Sequence, residues 1–304
     1  KEQKCDVVIL ETGLGGTYDS TNACGVPDVT VIAKIGFDHM AILGDTLAKI
    51  AAEKAGIIKR GTALVLESQE KEAMDVLNKA AERADIKTTK VVNLDEIRIL
   101  PQKDGKQCFS YAGYDAVTMK MLGVHQYENA VAAMLAAELF FEKYFAGKKS
   151  VPERKALQHA IREGIDRTQW MGRMELVSND PFFLMDGAHN SNGVEALKKS
   201  LETMYPDEKF HFIMGVMADK DYGEMIRELL PLALDFKTVT VESERALQGE
   251  ALADCIRAKG IPAEAYRNLE DVLPDFSKSS AEKTVAFGSL YFIGEIEAFL
   301  RGKQ

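Results

Sequence analysis

Four side chains suited to metal or phosphate chemistry stand where apolar runs give way to glycine or polar residues. Glu11 follows the run Val7–Leu10 and precedes a turn with Gly13, Gly15 and Gly16; His39 closes DVTVIAKIGFDH; Asp186 and His189 close PFFLMDGAHN. In open parallel sheets, ligands bind at the carboxyl ends of strands. A carboxylate and an imidazole can share a divalent cation. Magnesium prefers oxygen, so a direct His ligand points to a tolerant site that also takes manganese. Taken singly, His39 reads as a satisfied structural histidine. Asp186 and His189 precede a helix whose Asn192 and Glu195 resemble a capping pair. An anion placed there would meet unpaired N–H groups and the positive helix end.

Two readings of the glycine turn stay open. Its spacing partly matches a dinucleotide-binding fingerprint, but the third glycine is replaced by Tyr18, and a lone partial match is weak. Alternatively the glycines only turn the chain, which leaves the carboxylate at the end of a buried strand unexplained. A second oddity is Lys54, on the same helical stripe as Leu47, Ile50, Ala51 and Ile58. Lysine is almost never fully buried without a partner. Either it snorkels from the edge of the stripe or it has a task there.

The elements that position these groups follow from periodicity. Residues 7–10 and DVTVIAKIGFDH read as buried strands, and LGDTLAKIAAEKAGIIK as a helix capped by Asp45. TALVLES is a strand and KEAMDVLNKAAERA an amphipathic helix. Residues 87–121 hold short β-rich runs and the turn signals KDGK and YAGYDA, so hairpins are expected. HQYENAVAAMLAAELFFEKYF is a long apolar helix, and Pro152 opens another that ends near Gly164. From TQWMGRMELVS onward, strands alternate with helical patterns (PFFLMDGAHN, KFHFIMGV, FKTVTVES, KTVAFGS), the pattern of a doubly wound α/β domain.

Composition narrows the class. The 304 residues favour two domains, divided near Met171 and Gly172. With 46% apolar and 28% charged residues the chain is an ordinary globular protein. A net charge of −9 argues against nonspecific nucleic-acid binding. The scattered cysteines, Cys5, Cys24, Cys108 and Cys255, form no C-x-x-C pair and fit a reducing cytoplasm. No apolar run reaches membrane-spanning length. Because the chain starts without Met and runs straight into an apolar segment, it is expected to be a fragment of something longer.

Taken in order, ETGLGGTYDSTN, IGFDHMAILGDTLAKIAAEKAGIIK, MGRMELV, DGAHN, GVMADKDY and GSLYFIGE resemble the folylpolyglutamate synthase and dihydrofolate synthase family, a branch of the Mur ligases. The resemblance implies an α/β fold. Residues 1–171 would form a truncated P-loop-NTPase-like parallel-sheet domain with a small β-rich subregion, and 172–304 a Rossmann-like doubly wound domain. It implies an ATP-dependent ligase that adds L-glutamate to folate, to dihydropteroate, or to both, through an acyl phosphate. Glu11 and His39 resemble Mg²⁺ ligands, and Lys54 stands where the family has a carbamylated lysine that orients a second Mg²⁺. Asp19 resembles a residue needed near folate and metal. Asn129, Arg173, Asp186 and His189 resemble ATP contacts, and Ser289 a group near the incoming glutamate. A monovalent cation also belongs to this set. Asp219 and Lys220 lie in a matching motif without an assigned role. The partners implied are small molecules, with neither nucleic acid nor membrane, for a cytoplasmic monomer.

The family's phosphate loop, of G-x-x-G-K-[ST] type, does not occur in these residues. The nearest imitation, GIIKRGTA at Gly56–Ala63, lacks the Lys and the hydroxyl in register. The chain alone is therefore expected to be inactive. Two other readings stay open: a non-catalytic nucleotide- or folate-binding protein, and another Mur-type ligase acting on cell-wall precursors.

Overall fold

The computed structural model describes residues 5–103, 105–148 and 151–302. By compactness the chain forms two units. The first holds residues up to Ile99, Phe109–Ala116 and Tyr127–Ile165; the second holds Leu100–Cys108, Val117–Gln126 and everything from Asp166 on.

In the first unit, β1 (Val29–Ile32), β2 (Ala63–Leu66) and β3 (Thr89–Val91) form a parallel sheet in that order. Between the strands run α1 (Met40–Leu43), α2 (Leu47–Ala55) and α3 (Lys71–Arg83). Ile50 and Ala51 of α2 and Leu77 of α3 bury their side chains with Ile32, Leu64 and Leu66 of the sheet. The helical stripe of α2 is what brings its C-terminal turn, with Lys54, to a defined place.

Three expectations change here. Residues 7–10 are not a strand but an irregular, exposed segment, with Ile9 92% exposed. An apolar run becomes a strand only when a neighbouring strand takes its N–H and C=O groups, and among the described residues none does. The second run forms strand only to Ile32, so His39 lies on the loop beyond it. The cap of α2 is Thr46, whose hydroxyl accepts from Lys49 N at 3.2 Å, while Asp45 pairs with the Lys49 ammonium at 2.8 Å.

The expected hairpin region is a sheet of β4 (Arg98–Lys103), β5 (Lys106–Tyr111) and β6 (Tyr114–Met119). Between β5 and β6, Ala112 and Gly113 both have positive φ, 42° and 86°, which suits a tight hairpin turn. Asp104 of KDGK lies outside the described residues. The long helix, α4 (His125–Phe145), matches its expected run; α5 (Arg154–Arg167) starts two residues past Pro152 and continues beyond Gly164.

From Asp166 on, the second unit is built on a six-stranded sheet. Its elements are β7 (Glu175–Asn179), β8 (Phe182–Met185), α6 (Ser191–Met204), β9 (Phe210–Met214), α7 (Tyr222–Leu229), β10 (Ala233–Val239), α8 (Gly249–Arg257), β11 (Ala263–Tyr266), β12 (Lys283–Phe287) and α9 (Leu290–Gly302). The order is β11-β10-β9-β12-β8-β7, parallel except for β7. Alternation sorts the side chains: Leu184, Phe212 and Val285 pack with Leu197, Ile226 and Leu252 of α6, α7 and α8. On the other face Phe183, Ile213 and Ala286 pack with Phe292, Ile293 and Ile296 of α9. Helices on both faces make the sheet doubly wound. Strand order reverses where β12 returns between β8 and β9, and ligands gather outside the carboxyl ends of strands at such a place.

Candidate functional site

The glycine turn is organised by Asp19. Its Oδ2 accepts the N–H groups of Gly13 and Leu14 at 2.9 and 3.0 Å, and its Oδ1 accepts the N–H and hydroxyl of Thr21 at 2.9 and 2.5 Å. These bonds, led by that from the Thr21 hydroxyl, hold the carboxyl down at about 2. The turn lies on the C-terminal end of α2: Thr17 N donates to Glu53 O at 2.9 Å, and Asn22 Nδ2 donates to Gly56 O at 3.2 Å. A Cβ at Gly16 would stand 2.7 Å from Glu53 O and 2.9 Å from Lys54 O. The glycines thus allow close packing on a helix end that presents carbonyls. That helix end has the wrong polarity for a phosphate.

Lys54 sits in the last turn of α2 and is half-buried, while Ile50, Ala51 and Ala55 fill the core. It lies at the edge of the stripe, where an ammonium complements the carbonyl end of the helix. His39 has a left-handed backbone, φ 49° and ψ 36°, ahead of α1, and its Nε2 lies 3.9 Å from Asp38 Oδ2. A non-glycine residue held in that region costs free energy and clusters at functional sites. Glu11 and His39 are both exposed. Among the described residues no three His, Cys, Asp or Glu side chains gather as a metal cage. Mg²⁺ takes only one or two protein ligands and completes its octahedron with water and phosphate, so a site of that kind needs no such cage.

In the second unit two turns interlock. Asp186, buried at the end of β8, accepts Met174 N on Oδ2 and Ala188 N on Oδ1, both at 2.8 Å. Burial raises its carboxyl to about 6, against the pull of these N–H groups and of Arg173. Gly187 N donates to Gly172 O at 2.7 Å, fastening the turn that carries Arg173. His189 Nδ1 lies 2.9 Å from Gly187 O. Gly288 N donates to Ala188 O at 2.9 Å, which brings the end of β12 and Ser289 to the same place. Ser289 is buried, and its hydroxyl accepts Tyr291 N at 3.1 Å. Arg173, Asp186, His189 and Ser289 are therefore assembled by backbone contacts at the carboxyl ends of β8 and β12.

The cap of α6 is Asn190, which accepts Gly193 N at 2.8 Å; Asn192 lies inside the first turn, so the anticipated pair with Glu195 is not the cap. Asp219 forms a two-pronged pair with Arg245, both contacts 2.9 Å. Arg173 lines a groove of about 390 Å³ together with Lys106, Lys120, Trp170 and Met171.

Sequence reasoning missed His125. Asn129, on α4, is exposed, but His125 at the start of that helix is largely buried, with Nδ1 lacking any hydrogen-bond partner. Burial, and then the charge of Arg173, push its imidazole down to about 4, so it is neutral at physiological pH. The signal was a histidine opening an apolar helix. Glu67 was also missed: it is buried just past β2, and burial raises its carboxyl to about 7.

Comparison with known proteins identifies the family and the fold. Residues 1–137 match the Mur ligase middle domain, and residues 172–287 match the Mur ligase glutamate ligase domain. A dihydrofolate synthase/folylpolyglutamate synthase of Bacillus subtilis is 34% identical over 309 residues, covering 98% of this chain and 68% of the relative. The protein of the same description from Mycobacterium tuberculosis is 34% identical, covering 82% of this chain and 51% of the relative. The structure of Mycobacterium tuberculosis folylpolyglutamate synthase complexed with ADP superposes with a TM-score of 0.81 at 27% identity, covering 98% of this chain and 68% of that one. A folylpolyglutamate synthase structure from Thermotoga maritima gives 0.79, also at 27% identity, covering 100% and 67%. With its doubly wound second unit, its interlocked turns and these relatives, the chain belongs to the dihydrofolate synthase/folylpolyglutamate synthase family of Mur ligases.

Proposed function

We propose that this chain acts in an ATP-dependent ligase that joins L-glutamate to a folate, to dihydropteroate, or to both. The observation that carries the reading is the double hold of Asp186, which presents Arg173 and His189 together where strand order reverses. The chain spans about two thirds of the first relatives it matches, so the activity of the whole protein is part of the proposal.

The γ-phosphoryl group passes from ATP to a substrate carboxylate, giving an acyl phosphate and ADP. The amine of glutamate attacks the acyl carbon, and the tetrahedral intermediate expels phosphate and loses a proton to leave the amide. Positioning and charge neutralisation supply most of the catalysis in such transfers. Asn129, Arg173, Asp186 and His189 are assigned to ATP, Arg173 through its charge. Ser289 is assigned to the incoming glutamate, with its hydroxyl held beside the Ala188 turn. Asp19 serves the folate side by fixing the glycine turn.

Glu11 and His39 would hold Mg²⁺, which when bound neutralises phosphate charge. In this reading Lys54 would carry a carbamate, whose negative charge would help to hold a second cation. An anion at the carbonyl end of α2 is unfavourable without one, so modification and cation binding are linked. Division of labour falls near Met171–Gly172, between 1–171 and 172–304. The four unpaired cysteines support a reducing, cytoplasmic setting; the monomer is what the family resemblance implies.

The test is ADP release with tetrahydrofolate, dihydropteroate or a muramyl nucleotide, each with its amino acid, by the 304-residue chain and by the whole gene product. Turnover with the muramyl nucleotide alone moves the chain to a cell-wall branch. Tight nucleotide and folate binding without turnover by either protein makes it a non-catalytic binder. Lacking a G-x-x-G-K-[ST] stretch, the 304 residues alone are expected to release no ADP.

A further inference from the structure

Just past β2, three consecutive residues turn their polar groups onto neighbouring segments. Glu67 N continues the ladder by donating to Ile32 O at 3.0 Å. There β1 leaves strand geometry, and side chains take over from backbone. Glu67 Oε2 accepts Lys34 N at 2.6 Å; Gln69 Oε1 accepts Ile35 N at 2.8 Å, while its Nε2 donates to Ala33 O at 3.0 Å. Between them, Glu128 of α4 accepts Ser68 N at 2.6 Å. Glu67 is 3% exposed, and Ile35, which the brace locks, is also 3% exposed. Four residues further on, the loop ends at His39 in its left-handed conformation.

Burying a carboxylate is expensive, and a second carboxylate, Glu128, stands close enough to raise that cost. A hydrophobic residue would fill the space more cheaply, but it would leave Lys34 N unpaired. The expense is understandable if the 33–39 loop must be irregular and still stand in one place. Partners behind a ligand commonly matter 10–100-fold to metal affinity or activity.

We propose that Glu67 and Gln69 are positioning residues that set where His39 stands, and that Glu128 carries the same constraint to α4 beside Asn129. The proposal rests on the assignment of His39 to a divalent cation.

Two measurements on the 304-residue chain test it: amide hydrogen exchange over residues 33–43, and binding of Mn²⁺ alone followed by water-proton relaxation. The variants are Glu67→Ala, Gln69→Ala and the conservative Glu67→Gln, with His39→Ala as reference. Both alanine variants should speed exchange in 33–43 and weaken Mn²⁺ about tenfold, and Glu67→Gln should restore most of both. Unchanged exchange overturns the brace. Faster exchange with unchanged Mn²⁺ affinity, while His39→Ala weakens it, overturns the positioning role. If His39→Ala leaves Mn²⁺ binding untouched, the metal assignment itself fails, and the positioning role fails with it. Should Glu67→Ala not fold, Glu67→Gln and Gln69→Ala carry the test.

Discussion

Asp186 accepts the backbone N–H of Met174 at 2.8 Å, and so the end of one strand holds the turn that presents Arg173. Both of its oxygens are occupied by main-chain donors. Its first task is thus to shape the site. In Asp186→Asn one oxygen becomes an N–H group facing another N–H. A buried, unsatisfied pair of that kind costs about 1–3 kcal/mol. The variant should melt earlier and bind ADP more weakly, and calorimetry reads both. Weakened ADP binding with an unchanged melting temperature would mean that the carboxylate acts on nucleotide rather than on the turn.

Packing separates the glycines of the first turn. A methyl group at Gly16 would collide with the backbone of α2, whereas at Gly13 the nearest atom is Asp19 Oδ2 at an ordinary 3.4 Å. Gly16→Ala should destabilise by about 1–3 kcal/mol and Gly13→Ala by less than about 0.5 kcal/mol. Urea unfolding measures the difference. Equal values would remove the close-packing role given to Gly16.

Glu67 makes stability depend on pH. Its carboxyl titrates at about 7 in the folded chain, against 4.5 for an ordinary glutamate. Between those values the folded state keeps the proton and the unfolded state has lost it. Stability therefore falls as pH rises from about 4.5 through about 7. Glu67→Gln should flatten that part of the curve, as read from urea midpoints at pH 5 and 7.5. A variant slope equal to that of the parent would assign the titration to another group.

Trp170, the only tryptophan, is 65% exposed on the groove that Arg173 lines. ADP bound at Arg173 should change its emission, and Arg173→Ala should shift the titration to higher ADP by about tenfold. That is the loss of roughly 1.4 kcal/mol, typical of a hydrogen bond to a charged group. Emission that ignores saturating ADP would place the nucleotide elsewhere.

Long-range order was easier to read than short-range detail. α4 follows its apolar pattern through 21 residues because neither glycine nor proline interrupts it. The second unit's strands were visible because fully buried parallel strands are nearly continuous apolar runs, as in Phe182–Met185. β11 was not, since Ala263–Tyr266 is half polar at a sheet edge. The run Val7–Leu10 misled for a related reason: composition reports what a segment could pair with, and pairing needs a partner. Asp186, His189, Arg173 and Ser289 were legible as residues at strand ends or in motifs. Glu67 and Gln69 were not, because their work is to satisfy main-chain groups of a loop 34 residues away in sequence.

The exposed run from Val7 to Leu10, with Ile9 92% exposed, has a practical consequence. An exposed, greasy, strand-prone run is a template for molecule-to-molecule pairing and clumping. Solutions of this chain should turn cloudy with increasing concentration, and a single lysine in place of Ile9 should keep them clear, as light scattering would record.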